Sequence, residues 1–164
     1  MRRSEEVRDA MVRFCQRLSE DDVESFDELV SREAATLAIG SAPGEWLTER
    51  ERLRGPFETQ GLRLVAKDPI GYQEGSVGWA VDQPTFVFPD GSVMHSRLTV
   101  FMRREGARWK VVHLHHSVGV PEGEVVELQR RWAEEGFSER RQLPTQRTPS
   151  TRPSQNNPST HLGK

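Results

Sequence analysis

The chain has 164 residues, of which 34% are hydrophobic and 29% are charged, and its formal net charge is −2. This length fits one ordinary domain with a buried core. No apolar run approaches the roughly 18 residues of a membrane-spanning helix, so no membrane span is expected. The single cysteine, Cys15, excludes an internal disulfide and a multi-cysteine zinc site, and we interpret it as a buried structural thiol. The N-terminus has no apolar signal-peptide run, so the expected location is cytoplasmic.

Charge is unevenly distributed along the chain. Residues 138–164 contain five basic residues and one acidic residue, which leaves 18 basic and 24 acidic residues in the first 137. This last segment has four prolines and no aromatic residue, so burial cannot offset the entropy of ordering it. The composition predicts a disordered basic tail. Its positive charge is sparse, and nucleic acid is not expected as a partner.

Helical spacing of apolar residues dominates the first third of the chain. One face of the first predicted helix carries Val7, Met11, Phe14 and Leu18. A second helix is expected from Ser19, where Asp22 completes a pattern like a capping box. A short strand is expected over 35–39. A third helix is expected over 46–53, ended by Gly55-Pro56.

The apolar period then changes from 3.6 to 2. Alternating residues separated by Gly- and Pro-containing turns predict strands at 62–66, 76–82, 93–102 and 109–118. Helical spacing returns afterwards and predicts a short C-terminal helix. This order indicates an α+β domain with helices on one face of a bent antiparallel sheet. We therefore divide the chain into a domain over 1–121, a helix over 122–137 and a tail over 138–164.

The last predicted hairpin carries the most informative pattern. A three-residue turn at 105–107 sets Thr99 opposite His113 and Arg97 opposite His115. One face then carries polar residues, namely His95, Arg97, Thr99, His113, His115 and Ser117. The other carries Leu98, Val100, Met102, Val112, Leu114, His116 and Val118. We expect the second face to meet the helices and the first to pack against another sheet.

His116 is the strongly polar member of the face predicted to be apolar. One interpretation is a core histidine with a hydrogen-bonded ring. The other places it in a cavity between sheet and helices, as a ligand contact or an acid/base group. Trp79 and Val81 alternate onto one face of the preceding strand and are expected to share this cavity, with Trp46 as its lid. The alternative is that both tryptophans are ordinary core residues.

Three histidines on the polar face raise the question of a metal site. His113 and His115 project from one strand face, and His95 lies on the neighbouring strand. Imidazoles are ligands for zinc or iron. This face has no carboxylate, and we expect no metal.

The segment WKVVHLHHSVGVP, residues 109–121, resembles the last hairpin of the nuclear-transport-factor-2-like superfamily. It is similar to SnoaL-like small domains and to the association (hub) domain of calcium/calmodulin-dependent protein kinase II. The matching residues are Trp109, Val112, His113, His115, Ser117, Gly119 and Pro121. The resemblance implies a cone-like barrel, formed by a strongly bent antiparallel sheet with three N-terminal helices.

The same resemblance implies a homodimer and a pocket. The dimer would form through the outer face of the sheet, with an interface formed by Arg97, Thr99, His113, His115 and Ser117. The pocket positions of the hub domain are held here by Val81, Val100 and His116.

Two functions from different classes fit these residues. The first is a small-molecule-binding or assembly domain without a cofactor, with an apolar pocket lined by Trp46, Trp79, Val81, Val100 and His116. The second is a SnoaL-like isomerase, cyclase or dehydratase that acts on an apolar carbonyl substrate, with His116 as acid/base. We favour the first because no acidic residue is clearly predicted within reach of such a substrate.

Overall fold

The computed structural model describes residues 1–32, 35–42 and 44–134, in which helices pack on a curved, mostly antiparallel sheet. The helices are α1 (Glu5–Ser19), α2 (Phe26–Leu29), α3 (Gly55–Glu58) and α4 (Glu122–Glu134). The α+β class predicted from the sequence is confirmed. The predicted tail, 138–164, lies outside the described residues, as does the end of the predicted C-terminal helix.

Helix α1 forms as its apolar spacing predicts. It begins after Ser4, whose hydroxyl accepts a hydrogen bond from the Val7 N–H at 3.3 Å. The same hydroxyl donates to Gln73 in the sheet at 2.5 Å. The predicted face, Val7, Met11, Phe14 and Leu18, is buried. The start of α1 is therefore fixed both by its cap and by the sheet.

The second predicted helix is wrong in its start and its length. Ser19 is the last residue of α1, and the chain leaves the helix through Asp21, whose φ of 54° is left-handed. Asp22 then caps a single 3-10 turn, Val23–Ser25, which leads into α2. Asp22 does act as a cap, but of a later and shorter element.

The segment predicted as a helix over 46–53 begins as a strand. Residues Trp46–Leu47 pair with Leu37–Ile39, and a 3-10 turn, Arg50–Arg54, follows. Pro56 lies in the first turn of α3, where a missing N–H costs no hydrogen bond. Gly55-Pro56 therefore starts a helix rather than ending one.

The sheet in the described part of the chain has nine strands. They are β1 (Arg2–Arg3), β2 (Leu37–Ile39), β3 (Trp46–Leu47), β4 (Arg63–Val65), β5 (Ile70–Glu74), β6 (Val77–Asp82), β7 (Thr85–Val87), β8 (Val93–Glu105) and β9 (Arg108–Val118). The main order is β1-β5-β6-β8-β9-β2-β3, and β7 joins β4 to β8. Strand β2 runs parallel to β9.

A proline divides one edge of the sheet. Strands β6 and β7 pair with β8 in one continuous register that is interrupted at Pro84. Proline has no N–H for the ladder, and its carbonyl accepts both the N–H of Ser96 at 3.1 Å and the hydroxyl of Ser96 at 3.2 Å. Beyond the break, β7 pairs with β4, which contacts α1. The sheet thus extends to the helical side of the molecule, which bounds the space described below.

The register predicted for the β8–β9 hairpin is wrong by two residues. Its turn has two residues, with Glu105 paired to Arg108, and a bulge follows at Phe101/Met102. Thr99 therefore lies opposite His115, and Arg97 lies opposite Ser117. Because the register is shifted by an even number of residues, each side chain on the side of the bulge away from the turn stays on its predicted face. On the turn side of the bulge the core residue is Val111, rather than the predicted Val112.

Strand β5 is absent from the strands that the sequence predicts, because a glycine such as Gly71 is typical of a turn. Gly71 lies inside β5, where a Cβ would sit 2.5 Å from the Arg8 nitrogen and 2.6 Å from the Ser4 carbonyl oxygen. This glycine lets α1 approach the sheet backbone. Gly75, by contrast, has a φ of 56° in the following turn.

Among the described helices, none combines the length and the apolar character needed to span a membrane.

Candidate functional site

A cavity of about 380 Å³ lies between the sheet and the helical side of the molecule. Its volume is within the range of known small-molecule sites. Most of its wall is apolar and includes Phe14, Phe57, Leu64, Phe86, Leu98 and Leu114. These residues come from α1, α3, β4, β7, β8 and β9, so the cavity depends on the whole fold.

His116 supplies a polar group to this apolar wall. The residue is half-buried, and its ring lies edge-on to Phe86, with the ring centroids 4.8 Å apart. Its Nε2 atom is buried and has no hydrogen-bond partner among the described residues. Burial lowers the pKa of His116, the charge of Glu45 opposes this effect, and His115 adds to it. The imidazole is therefore neutral at neutral pH, and the residue that carries this unpartnered nitrogen borders the cavity.

Two charged side chains, Glu45 and Arg52, border the same cavity. The carboxylate of Glu45 accepts a hydrogen bond from the Ala42 N–H at 2.9 Å. Arg52 belongs to none of the ion pairs found within the described ranges. The cavity thus has an apolar interior, one neutral imidazole and one unpaired cation.

The structure brings one of the five predicted pocket residues, His116, to this cavity. Trp79 and Val81 lie on the opposite face of the sheet, because Ala80 and Asp82 are the residues of β6 that face inward and are buried. The predicted alternation along this strand is present, but its interior residues are Ala80 and Asp82 rather than Trp79 and Val81.

The other two predicted pocket residues also lie elsewhere. Trp46 is 60% exposed on β3, a strand at the sheet edge, and does not cover the cavity. Val100 is fully buried in the core and does not border the cavity. Neither tryptophan of the predicted pocket is therefore part of it.

We call the sheet face opposite the cavity the outer face. Four of its side chains form a row of successive register partners on β5, β6, β8 and β9, namely Tyr72, Trp79, Phe101 and His113. Tyr72 stacks on Trp79 at 4.7 Å, and the rings of Phe101 and His113 lie 5.8 Å apart. We call these four residues the aromatic row.

The predicted interface residues lie on this outer face, because their neighbours along each strand point inward. They are Arg97, Thr99, His113, His115 and Ser117. The ring of His113 also lies 2.9 Å from the carbonyl oxygen of Leu37 on β2. These residues share one surface with the aromatic row, which the sequence analysis did not identify.

On the described cavity wall the acidic side chain is Glu45 and the hydroxyl side chain is Ser41, and both residues are exposed. Buried Asp82 lies outside it, and its carboxylate accepts the N–H groups of Lys67, Asp68 and Gln83 at 2.8–3.0 Å. Burial raises the pKa of the Cys15 thiol to about 12, so this thiol is protonated. Within 1–32, 35–42 and 44–134, no three His, Cys, Asp or Glu side chains form a group able to hold a metal.

Sequence reasoning missed most of the cavity. Phe86 lies in β7, which was not predicted, and Arg52 lies in a 3-10 turn that was expected to be helical. The alternation of Leu62 and Leu64 around exposed Arg63 was a usable signal, since both leucines border the cavity. Placing them required knowing that β4 pairs with β7.

Comparison with known proteins identifies the family. Residues 7–121 match the profile of the SnoaL-like domain, and the chain belongs to this family. The resemblance inferred from the last hairpin is therefore confirmed. No curated protein matches the chain.

Solved structures show the same fold at low identity. A Caulobacter vibrioides protein with a cystatin-like fold has a TM-score of 0.58 at 14% identity, over 77% of this chain and 96% of that one. A nuclear transport factor 2-like protein from Salmonella enterica has a TM-score of 0.58 at 18% identity, over 72% and 92%. A putative calcium/calmodulin-dependent protein kinase II association domain from Xanthomonas campestris has a TM-score of 0.54 at 17% identity, over 70% and 88%. These likenesses establish the nuclear-transport-factor-2-like fold.

Proposed function

We propose that this SnoaL-like domain binds a small, largely apolar molecule in the cavity. The observation that carries the proposal is the buried Nε2 atom of His116, which has no hydrogen-bond partner among the described residues. A buried polar atom without a partner costs free energy, and a ligand that hydrogen-bonds to it recovers that cost. The apolar wall around it supplies the rest of the binding free energy by excluding water.

A second candidate function is catalysis on an apolar carbonyl substrate. It is favoured by the lowered pKa of His116, which keeps the imidazole neutral and able to accept a proton. Binding is better supported than catalysis, because Glu45, the acidic residue on the described cavity wall, already accepts a hydrogen bond from the N–H of Ala42.

An exchange experiment distinguishes the two functions. A general base would exchange the α-hydrogens of bound acetylnaphthalene for deuterium, and His116→Gln would abolish that exchange. Binding without exchange supports the first function.

The binding domain is proposed to act as a homodimer through the outer face. On this face Phe101 is 40% exposed within the long central strand β8, and Val77 is 52% exposed at the start of β6. Two copies related by a two-fold axis would pack sheet on sheet and cover both aromatic rows. The Xanthomonas campestris protein of similar fold is described as an association domain, which agrees with a second copy as the occupant.

The experiment for the cavity uses the fluorescence of N-phenyl-naphthylamine, a neutral apolar probe. Met94→Trp adds bulk to the cavity wall and is expected to abolish saturable binding. Val65→Trp is the matched control, because Val65 is 50% exposed and does not border the cavity. Equal binding by both variants and the wild type would contradict the proposal.

A further inference from the structure

Arg52 lies in a 3-10 turn that contains three arginines, Arg50, Arg52 and Arg54. The surroundings of each arginine indicate whether its role is structural or whether it can bind a ligand. A 3-10 helix has about three residues per turn, so residues two apart in such a turn point in different directions. The neighbours of each guanidinium therefore show what it does.

Arg50 is fully engaged with the protein. It pairs with Asp27 at 2.7 Å and donates to the carbonyl oxygens of Ser31 at 2.9 Å and Val30 at 3.1 Å. Its guanidinium also lies 4.4 Å above the centre of the Phe26 ring. These contacts join the end of α2 to the 3-10 turn.

Arg54 also has acidic neighbours, although its buried Nε atom has no hydrogen-bond partner among the described residues. It pairs with Glu51 at 3.5 Å and with Glu58 at 3.6 Å, and it lies 5.3 Å from the centre of the Phe26 ring. Both flanking arginines thus pack on the same aromatic ring and use acidic partners from their own surroundings.

Arg52 differs from both, because it borders the cavity and forms no ion pair within the described part of the chain. Leu53 beside it is buried and borders the same cavity. Glu45 is held by the N–H of Ala42 and lies beyond ion-pair distance of Arg52. The side chain of Arg52 is exposed, so its guanidinium lies at the solvent-facing edge of the apolar cavity, where no anion of the described residues pairs with it.

We propose that the ligand of the cavity is an amphipathic anion. Its apolar body occupies the cavity, and its oxyanion group, such as a carboxylate or sulfonate, pairs with the guanidinium of Arg52. This inference rests on the proposed binding function and adds the chemical class of the ligand. A planar guanidinium binds such groups through two parallel N–H donors, which gives orientation as well as affinity.

The test compares two probes that differ in charge. Anilinonaphthalene sulfonate has the aromatic skeleton of N-phenyl-naphthylamine and carries a sulfonate in addition. Arg52→Met should weaken binding of the sulfonate probe about tenfold and change binding of the neutral probe by less than about twofold. The preference of the wild type for the sulfonate probe should also decrease as salt is added.

Arg63→Met is the matched control, because Arg63 is exposed on β4 and does not border the cavity. It removes the same charge and should alter neither affinity. Equal effects of Arg52→Met on the two probes, or no effect on either, would overturn the assignment of Arg52. Failure of the neutral probe to bind the wild type would instead overturn the proposed function.

Discussion

His115 and His116 are consecutive in β9, yet they lie on opposite faces of the sheet. His115 is exposed on the outer face opposite Thr99, whereas His116 is half-buried beside Phe86, with their ring centroids 4.8 Å apart. The two histidines therefore form a natural pair of test and control. Replacing one changes the cavity, and replacing the other changes the outer face.

His116→Leu is expected to raise the free energy of unfolding by about 1 kcal/mol, because it removes a buried nitrogen without a partner. His115→Leu should leave the cavity unchanged and have a smaller effect. Urea denaturation of both variants at pH 7.5, chosen as about one unit above the ordinary histidine pKa, measures the difference. A large loss of stability in His116→Leu would show that its ring is satisfied in the native protein.

The same histidine makes stability depend on pH. Burial lowers the pKa of His116 in the folded state, so the unfolded chain binds a proton more readily. Protonation of His116 therefore costs the folded state nothing above the ordinary histidine pKa of about 6.5, and this cost grows as pH falls toward the folded value. The wild type should lose more stability than His116→Leu across this window. Parallel stability profiles for the two proteins would contradict the lowered pKa.

Gly71→Ala should destabilise the protein by about 2 kcal/mol, the middle of the range for overpacking. The added methyl group would lie 2.5 Å from the Arg8 nitrogen and 2.6 Å from the Ser4 oxygen, and backbone atoms cannot move aside cheaply. Gly44→Ala is the control, because nothing lies within 4 Å of the corresponding position. Thermal unfolding of both variants checks the expectation. Equal melting temperatures would mean that α1 does not pack as closely on β5.

Asp27 should titrate far below the ordinary range for an aspartate. Hydrogen bonds from Arg32, and then from Arg50, lower the pKa of this carboxyl to about 2. Its stabilising contribution is complete above the ordinary value of 3.8 and is lost as pH falls toward about 2. Arg32→Gln should raise this pKa, as followed by NMR titration of the carboxyl carbon. An unchanged pKa would show that Arg32 does not contact Asp27 in solution.

The outer face gives a prediction about assembly. Phe101→Glu places a charge in the centre of the aromatic row and should convert a dimer into a monomer. Val65→Glu changes a side chain of similar exposure, 50% against 40%, on a strand outside the aromatic row, and should preserve the dimer. Sedimentation equilibrium measures both masses. A monomeric wild type would contradict the proposed interface.

Local signals in the sequence predicted α1, the long strands and the inward position of His116, because each depends on a regular period of apolar residues. They did not predict the hairpin register, since the bulge at Phe101/Met102 leaves both strands with an acceptable alternation. They also failed at Trp46 and Trp79, where the alternation is compatible with either face. In β6 the burial of Ala80, which is 0% exposed, shows that Trp79 lies on the other face.

These sequence signals could not predict the cavity, for a related reason. It forms where β7 leaves the line of β6 at Pro84 and where the 3-10 turn carrying Arg52 faces the sheet. Both features are short and depend on contacts between segments far apart in the sequence. Periodicity over a window of residues does not describe such contacts.

The central claim is that a small apolar molecule binds inside the cavity, and methyl NMR during titration with N-phenyl-naphthylamine tests it directly. If the molecule binds there, the methyl signals of Leu53, Leu98 and Leu114, which border the cavity, shift saturably. The signals of Val77 and Val118, which are 52% and 37% exposed away from the cavity, should remain unchanged. Shifts confined to the two valines, or no saturable shift in any of these residues, would contradict the account.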